Sequence, residues 1–142
     1  MSEPLVIIAE DDNEDWLLFE DALRQCPGRV RHERVTNGAM LLQRLRSGKE
    51  LPDGILLDLR MPVMDGRTAL REIRADENLR HLLVVVLTTS TLETDILETY
   101  REGANSYVLK PLTFEDMDAL LRDLRYYWFD RVTLPPKMGD PQ

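Results

Sequence analysis

Carboxylates supply most of the reactive groups in this chain of 142 residues. Glu10, Asp11 and Asp12 stand in a row directly after the apolar run Leu5 to Ala9. Asp58 follows a second run, Ile55 to Leu57. Thr88, Thr89 and Ser90 follow a third, Leu82 to Leu87, and Lys110 follows a fourth, Tyr107 to Leu109. Carboxylates gathered in one place repel each other unless a cation neutralises them. All-oxygen donors of high charge suit Mg2+, which takes one or two carboxylates, waters and a phosphate oxygen. A carboxylate is also a nucleophile toward phosphorus, forming an aspartyl phosphate. Such a transfer needs charge neutralisation and in-line positioning more than acid–base work. A metal, an ammonium and a hydroxyl donor are the parts it requires. Each residue alone has a duller reading. An Asp after a strand forms turns, an acidic triplet starts a solvated helix where it complements the dipole, and Thr88 and Lys110 serve as a cap and a surface charge. Asp15 reads as a plain cap or first-turn residue. The set has chemical meaning only if the fold collects it.

The elements that would do so follow from periodicity. Short apolar runs bounded by charges or turn residues read as buried strands. These are Leu5 to Ala9, a weak and partly polar Arg31 to Val35 near an edge, Ile55 to Leu57 after the Pro52-Asp53-Gly54 turn, Leu82 to Leu87, and Tyr107 to Leu109. Helical spacing fills the gaps over Asp15 to Gln25, Gly38 to Arg46, Thr68 to Ala75 and Leu92 to Arg101. A last helix opens at Thr113 or Phe114, where Thr113 and Asp116 match a capping box. Pro27-Gly28 and Gly103 supply helix stops. Strand then helix, five times over, implies a parallel sheet with helices on both faces. In such a sheet every strand's C-terminal end lies on one edge, where ligands bind. Glu10, Asp11, Asp58, Thr88 and Lys110 therefore converge.

Composition narrows the function further. Acidic residues number 26 against 18 basic, a net charge of −8. That balance argues against nucleic-acid or anionic-membrane binding, which needs clustered Lys and Arg. Cys26 is the sole cysteine, which excludes an intramolecular disulfide and disfavours a zinc cluster. Leu5 to Ala9 is too short for a signal peptide or membrane span, so a cytoplasmic location is expected. No Gly-rich nucleotide loop is present. The expected phosphoryl donor is a phosphorylated partner or a small phosphorylated molecule.

The segment Asp58-Leu59-Arg60-Met61-Pro62-Val63-Met64-Asp65-Gly66 resembles the phosphoacceptor segment of response-regulator receiver domains. So do Glu10-Asp11, Thr88 and Tyr107-Val108-Leu109-Lys110-Pro111, and the resemblance spans residues 4–125. It implies a flavodoxin-like (βα)5 doubly wound fold with a five-stranded parallel sheet. It implies that Asp58 accepts a phosphoryl group from a histidine kinase, with only self-catalysed phosphorylation and dephosphorylation. Mg2+ would be held by Asp11, Asp58 and the backbone carbonyl of Arg60, with Glu10 acting through water. Lys110 would pair with the phosphoryl oxygens, and Lys110-Pro111 would be a cis peptide. Thr88 would move toward the phosphoryl group while Tyr107 turns inward, altering the surface of the fourth helix, fifth strand and fifth helix. Pro62 and Gly66 shape the turn after Asp58, and Asp65 reads as a cap.

Residues 1–125 form the receiver in this reading, and 126–142 extend the last helix and add a tail. A receiver without an output domain is expected, with binding as its output. Tyr126, Tyr127, Trp128 and Phe129 cannot all face one core. Either about two pack on the domain, or the set forms a self-association surface. The stretch from Trp128 to Pro135, including Leu134, and the Leu87-Thr88-Thr89-Ser90 segment resemble regulators paired with bacterial phytochromes. That resemblance implies a phytochrome-type kinase partner and a homodimer through the last helix and tail. Part of the tail from Thr133 onward is expected to be disordered. Three alternatives stand beside this reading, one of them a flavodoxin-like cofactor binder, for which the sequence offers no phosphate loop or cofactor motif. A degenerate receiver acting as a constitutive binding module normally lacks the acceptor or the lysine, and both are present. An aspartate-nucleophile phosphatase expects an acid two residues after its nucleophile, where this chain has Arg60.

Overall fold

The computed structural model describes residues 3–25 and 29–136. Cys26, the Pro27-Gly28 stop and the last six residues of the tail lie outside the described residues. Five strands alternate with five helices: β1 (Leu5–Ala9), α1 (Asn13–Gln25), β2 (Arg31–Val35), α2 (Gly38–Leu45), β3 (Gly54–Asp58), α3 (Gly66–Ala75), β4 (Val84–Thr88), α4 (Glu93–Arg101), β5 (Ser106–Leu109) and α5 (Phe114–Arg125). The strands are all parallel, in the order β2-β1-β3-β4-β5. The partly polar β2 takes an edge, as its composition suggests.

Residues alternate along the inner strands between two cores, which is the period-2 rule of a pleated sheet. Ile7, Ile55, Leu57, Val84 and Val86 face Leu41, Leu45, Leu70 and Ile73 of α2 and α3. Val6, Ile8, Leu56, Val85 and Leu87 face Phe19 and Ala22 of α1 with Met117 and Leu121 of α5. Because both faces are covered, β1, β3 and β4 read as unbroken apolar runs rather than alternating ones. α4 is the exception among the helices. Only Thr99 of it is buried, while Leu97 and Tyr100 are exposed.

Most element ends differ from the sequence reading by one or two residues, α1 starting at Asn13 and α3 at Gly66 for example, and two of the differences have a clear cause. β4 begins at Val84 rather than Leu82. The Leu82 N–H donates to the Leu79 carbonyl at 3.0 Å, and its own carbonyl accepts from Arg74 Nη1 at 2.7 Å, so both groups are used in a turn. Past α5 the chain widens into a π-helical stretch, Tyr126–Arg131. Its wider turn sends Trp128 and Phe129 onto the α1–α5 core, and Leu134 packs there too. Tyr126 and Tyr127 stay exposed.

Candidate functional site

The chain turns one way from β1 to β2 and the other way to β3, so the two sides of the sheet diverge between β1 and β3. Open α/β sheets bind ligands at this switch point, beyond the carboxyl ends of the strands. Glu10 leaves β1 there, and Asp58 ends β3 beside it. Asp58 pairs in register with Leu87, and Thr88 with Leu109. The next residues along are Lys110 on one side and the Thr88-Thr89-Ser90 segment on the other.

Glu10, Asp11 and Asp58 bring carboxylate oxygens within 4.8 Å of one another. Glu10 and Asp58 are buried and Asp11 is exposed. A pair of buried carboxylates and one open to solvent fits a hard divalent cation that keeps some of its water. Lys110 lies across the same group, its side chain only 7% exposed. Its Nζ stands 2.6 Å from Glu10 Oε1, 2.7 Å from Asp15 Oδ2 and 3.0 Å from Asp58 Oδ2. Burial, helped by the Asp58 charge, pushes the Glu10 carboxyl up to about 7 against the pull of the Lys110 hydrogen bond. Burial also pulls Lys110 down, but hydrogen bonds to Asp15, Glu10 and Asp58 hold its ammonium above the ordinary value. The lysine therefore keeps its charge, and burial draws the Glu10 carboxyl toward its protonated form.

The loop after Asp58 is held by close backbone approaches. The Gly66 N–H donates to the Leu59 carbonyl at 3.0 Å, and the Gly38 N–H donates to the Met64 carbonyl at 2.8 Å. A Cβ on Gly66 would lie 2.3 Å from the Asp58 carbonyl oxygen, so only glycine fits. Asp65 caps α3, accepting from the Thr68 N–H at 2.8 Å. The loop also carries strain. Val63, a β-branched residue, has φ 67°, a region such residues rarely enter. The Arg60 N–H donates to Asp58 Oδ1 at 3.1 Å, which orients the carboxylate while Lys110 takes the other oxygen.

Thr88 is buried, and its Oγ1 accepts weakly from the Ser90 N–H at 3.4 Å. The half-buried Tyr107 donates its hydroxyl proton to the Ser90 carbonyl at 2.9 Å. Its N–H in turn donates to the Tyr100 hydroxyl of α4 at 3.1 Å. Ser90 thus links both proposed switch residues to α4, whose Asp95 accepts from its hydroxyl at 2.6 Å. Sequence reasoning placed Tyr107 on its strand but put Thr88 just past the fourth strand, of which it is the last residue, and it gave Ser90 no connecting role.

Two further points depart from expectation. The Lys110–Pro111 bond is trans, since no cis bond occurs among the described residues. This corrects the cis peptide that the receiver resemblance implied. An amide before proline prefers trans by about 0.5–1 kcal/mol. With that geometry the Lys110 N–H still donates to the Thr88 carbonyl at 2.8 Å and its side chain still reaches all three carboxylates. Asp15 is the second departure: it contacts Lys110 rather than merely opening α1. The signal available in the sequence was its place one turn beyond Glu10-Asp11, on the same sheet edge.

Comparison with known proteins agrees with this geometry. The family model of the response regulator receiver domain matches residues 6–122. The probable methanogenesis regulatory protein FilR2 of Methanothrix harundinacea is 38% identical over 128 residues, covering 87% of this chain and 83% of that protein. Response regulator Rcp1 of Synechocystis is 31% identical over 138 residues, covering 92% of each. An Mn2+-bound form of Rcp1 superposes with a TM-score of 0.84 at 29% identity, over 94% of this chain and 99% of that one. The phosphorylated cyanobacterial phytochrome response regulator RcpA superposes with a TM-score of 0.88 at 31% identity, over 95% of this chain and 100% of that one.

Proposed function

Since the chain belongs to the response regulator receiver family, we propose that Asp58 accepts a phosphoryl group from a histidine kinase of the phytochrome type. The observation that carries this reading is the Asp58 carboxylate at the end of β3, bonded to Lys110 at 3.0 Å and within metal-sharing distance of Glu10 and Asp11. An Asp58 oxygen attacks phosphorus and forms the O–P bond. The P–N bond of a phosphohistidine, or the P–O bond of acetyl phosphate, breaks and its electrons leave with the imidazole or acetate. Lys110 donates to the phosphoryl oxygens as charge shifts onto Asp58. Asp11, Asp58 and the Arg60 carbonyl would hold Mg2+ directly, with Glu10 acting through water. The bound ion would supply neutralisation of the phosphoryl oxygens.

The output follows from the Ser90 connection. As the Thr88 hydroxyl moves toward the phosphoryl group, its contact to the Ser90 N–H changes. The Tyr107 hydroxyl bonds the carbonyl of that same Ser90. Leu92, Leu97, Tyr100, Leu109 and Leu112 are exposed around this face, which suits a protein-binding surface biased between two states. Homodimerisation is part of the proposal, and the tail's packing refines it. Trp128, Phe129 and Leu134 are engaged on the chain's own core, whereas Tyr126 and Tyr127 are exposed. The tyrosines are therefore the anchors to test.

Transfer from an autophosphorylated phytochrome-type kinase should label the wild type and not Asp58→Asn; equal labelling of both refutes the assignment. Sedimentation with and without beryllofluoride, in wild type and Tyr126→Ala/Tyr127→Ala, addresses the dimer. A monomer in every state rules it out.

A further inference from the structure

Asp15 sits where a capping residue belongs, yet it does not cap. α1 begins at Asn13, so Asp12 is the N-cap, and its Oδ1 accepts from the Asp15 N–H at 2.9 Å. In a capping box the acid at this third helical position would return the favour to the N-cap N–H. Here that N–H is already taken, because it donates to Glu10 Oε2 at 3.1 Å. The Asp15 carboxylate is left free to reach Lys110, which it does at 2.7 Å. Glu10 therefore performs the capping duty and releases Asp15 for another.

That other duty is defined by counting donors. An ammonium has three N–H groups, and Lys110 has three carboxylate partners: Glu10, Asp15 and Asp58. Glu10 and Asp58 also belong to the metal-spaced trio, and Asp15 does not. Asp15 is the most open of the three, with a side chain 28% exposed. It holds the lysine from the solvent side, while the other two hold it from within. Lysine rides on a flexible four-carbon stem, so its aim depends on what fixes the ammonium.

We propose that Asp15 is a positioning residue for Lys110, fixing the ammonium so that it meets phosphoryl oxygens as they form on Asp58. This rests on the phosphoacceptor reading above. Phosphorylation and metal binding place new demands on Asp58 and Glu10, and Asp15 is the partner of Lys110 whose contact they leave in place. Small misplacements of a charge-stabilising group are costly to rate, so loss of this contact should be visible in kinetics.

Two readouts test the proposal. In metal-free protein, 15N spectra should show a slowly exchanging Lys110 ammonium in the wild type. Asp15→Asn and Asp15→Ala should shift the signal or lose it to fast exchange. At saturating Mg2+, phosphoryl gain from acetyl phosphate should be about tenfold slower in Asp15→Ala. An unchanged Lys110 signal, or a wild-type rate, overturns the proposal. Asp58→Asn is run alongside. Phosphate gained by that variant would refute the acceptor assignment itself, whereas a wild-type rate in Asp15→Ala with an inert Asp58→Asn would refute only the role of Asp15.

Discussion

Glu10 is a buried carboxylate whose proton affinity is raised by its loss of water. Its folded-state value of about 7 lies above the 4.5 of the free side chain. A raised value means that the folded protein binds a proton more tightly than the unfolded one. The resulting stabilisation is fully present below pH 4.5 and is lost as pH rises through about 7. In the metal-free protein, Glu10 should therefore cost stability progressively across that window. Glu10→Gln should flatten this part of the curve, measured by urea unfolding in EDTA at a series of pH values. A variant that keeps the wild-type slope would show that Lys110 compensates the buried charge in full. Asp15 and Glu10 also show what the sequence could and could not reveal at this scale. The carboxylates were legible as a set, because residues after parallel strands must share an edge. Their division of labour was not, because it depends on which carboxylate occupies the Asp12 N–H.

At the scale of elements, the loop from Asp58 to Gly66 decides how well the site is held. The Cβ that alanine would add at Gly66 meets the Asp58 carbonyl oxygen and the Leu59 Cα, both backbone atoms that cannot swing aside. Gly66→Ala should cost about 1–3 kcal/mol, in the range of overpacked sites. It should also weaken Mg2+ binding, since the displaced atoms carry the acceptor itself. Denaturant unfolding and metal titration read the two effects separately. The need for glycine here was visible as a turn signal, but its cause, the approach of α3 to β3, exists only in three dimensions. The same holds for β4, whose start is set by the Arg74 hydrogen bond from a different element. It holds again for the tail, where the π-helical spacing chose which aromatics turn inward.

Over the whole molecule, the alternation of apolar runs and helical spacing was enough to give the five-stranded parallel architecture, and with it the sheet edge that the candidate residues share. Stability is distributed unevenly through the fold. The inner strands are buried on both faces, while α4 contributes one buried residue and its N-cap residue, Leu92, makes no side-chain cap. Elements with few buried contacts open most readily, and α4 is the element tied to Thr88 and Tyr107 through Ser90. Amide exchange followed by mass spectrometry should be faster in α4 than in β1, β3 and β4. Beryllofluoride with Mg2+ should change protection in α4 and β5 and leave the β2 edge as it was. Uniform protection across the helices would remove α4 as the mobile element.

The central claim is that Asp58 carries the phosphoryl group, and intact mass after incubation with acetyl phosphate and Mg2+ tests it most directly. The wild type should gain one hydroxylamine-sensitive phosphoryl group, and Asp58→Asn or added EDTA should prevent the gain. A phosphoryl group gained by Asp58→Asn to the same extent would contradict the account.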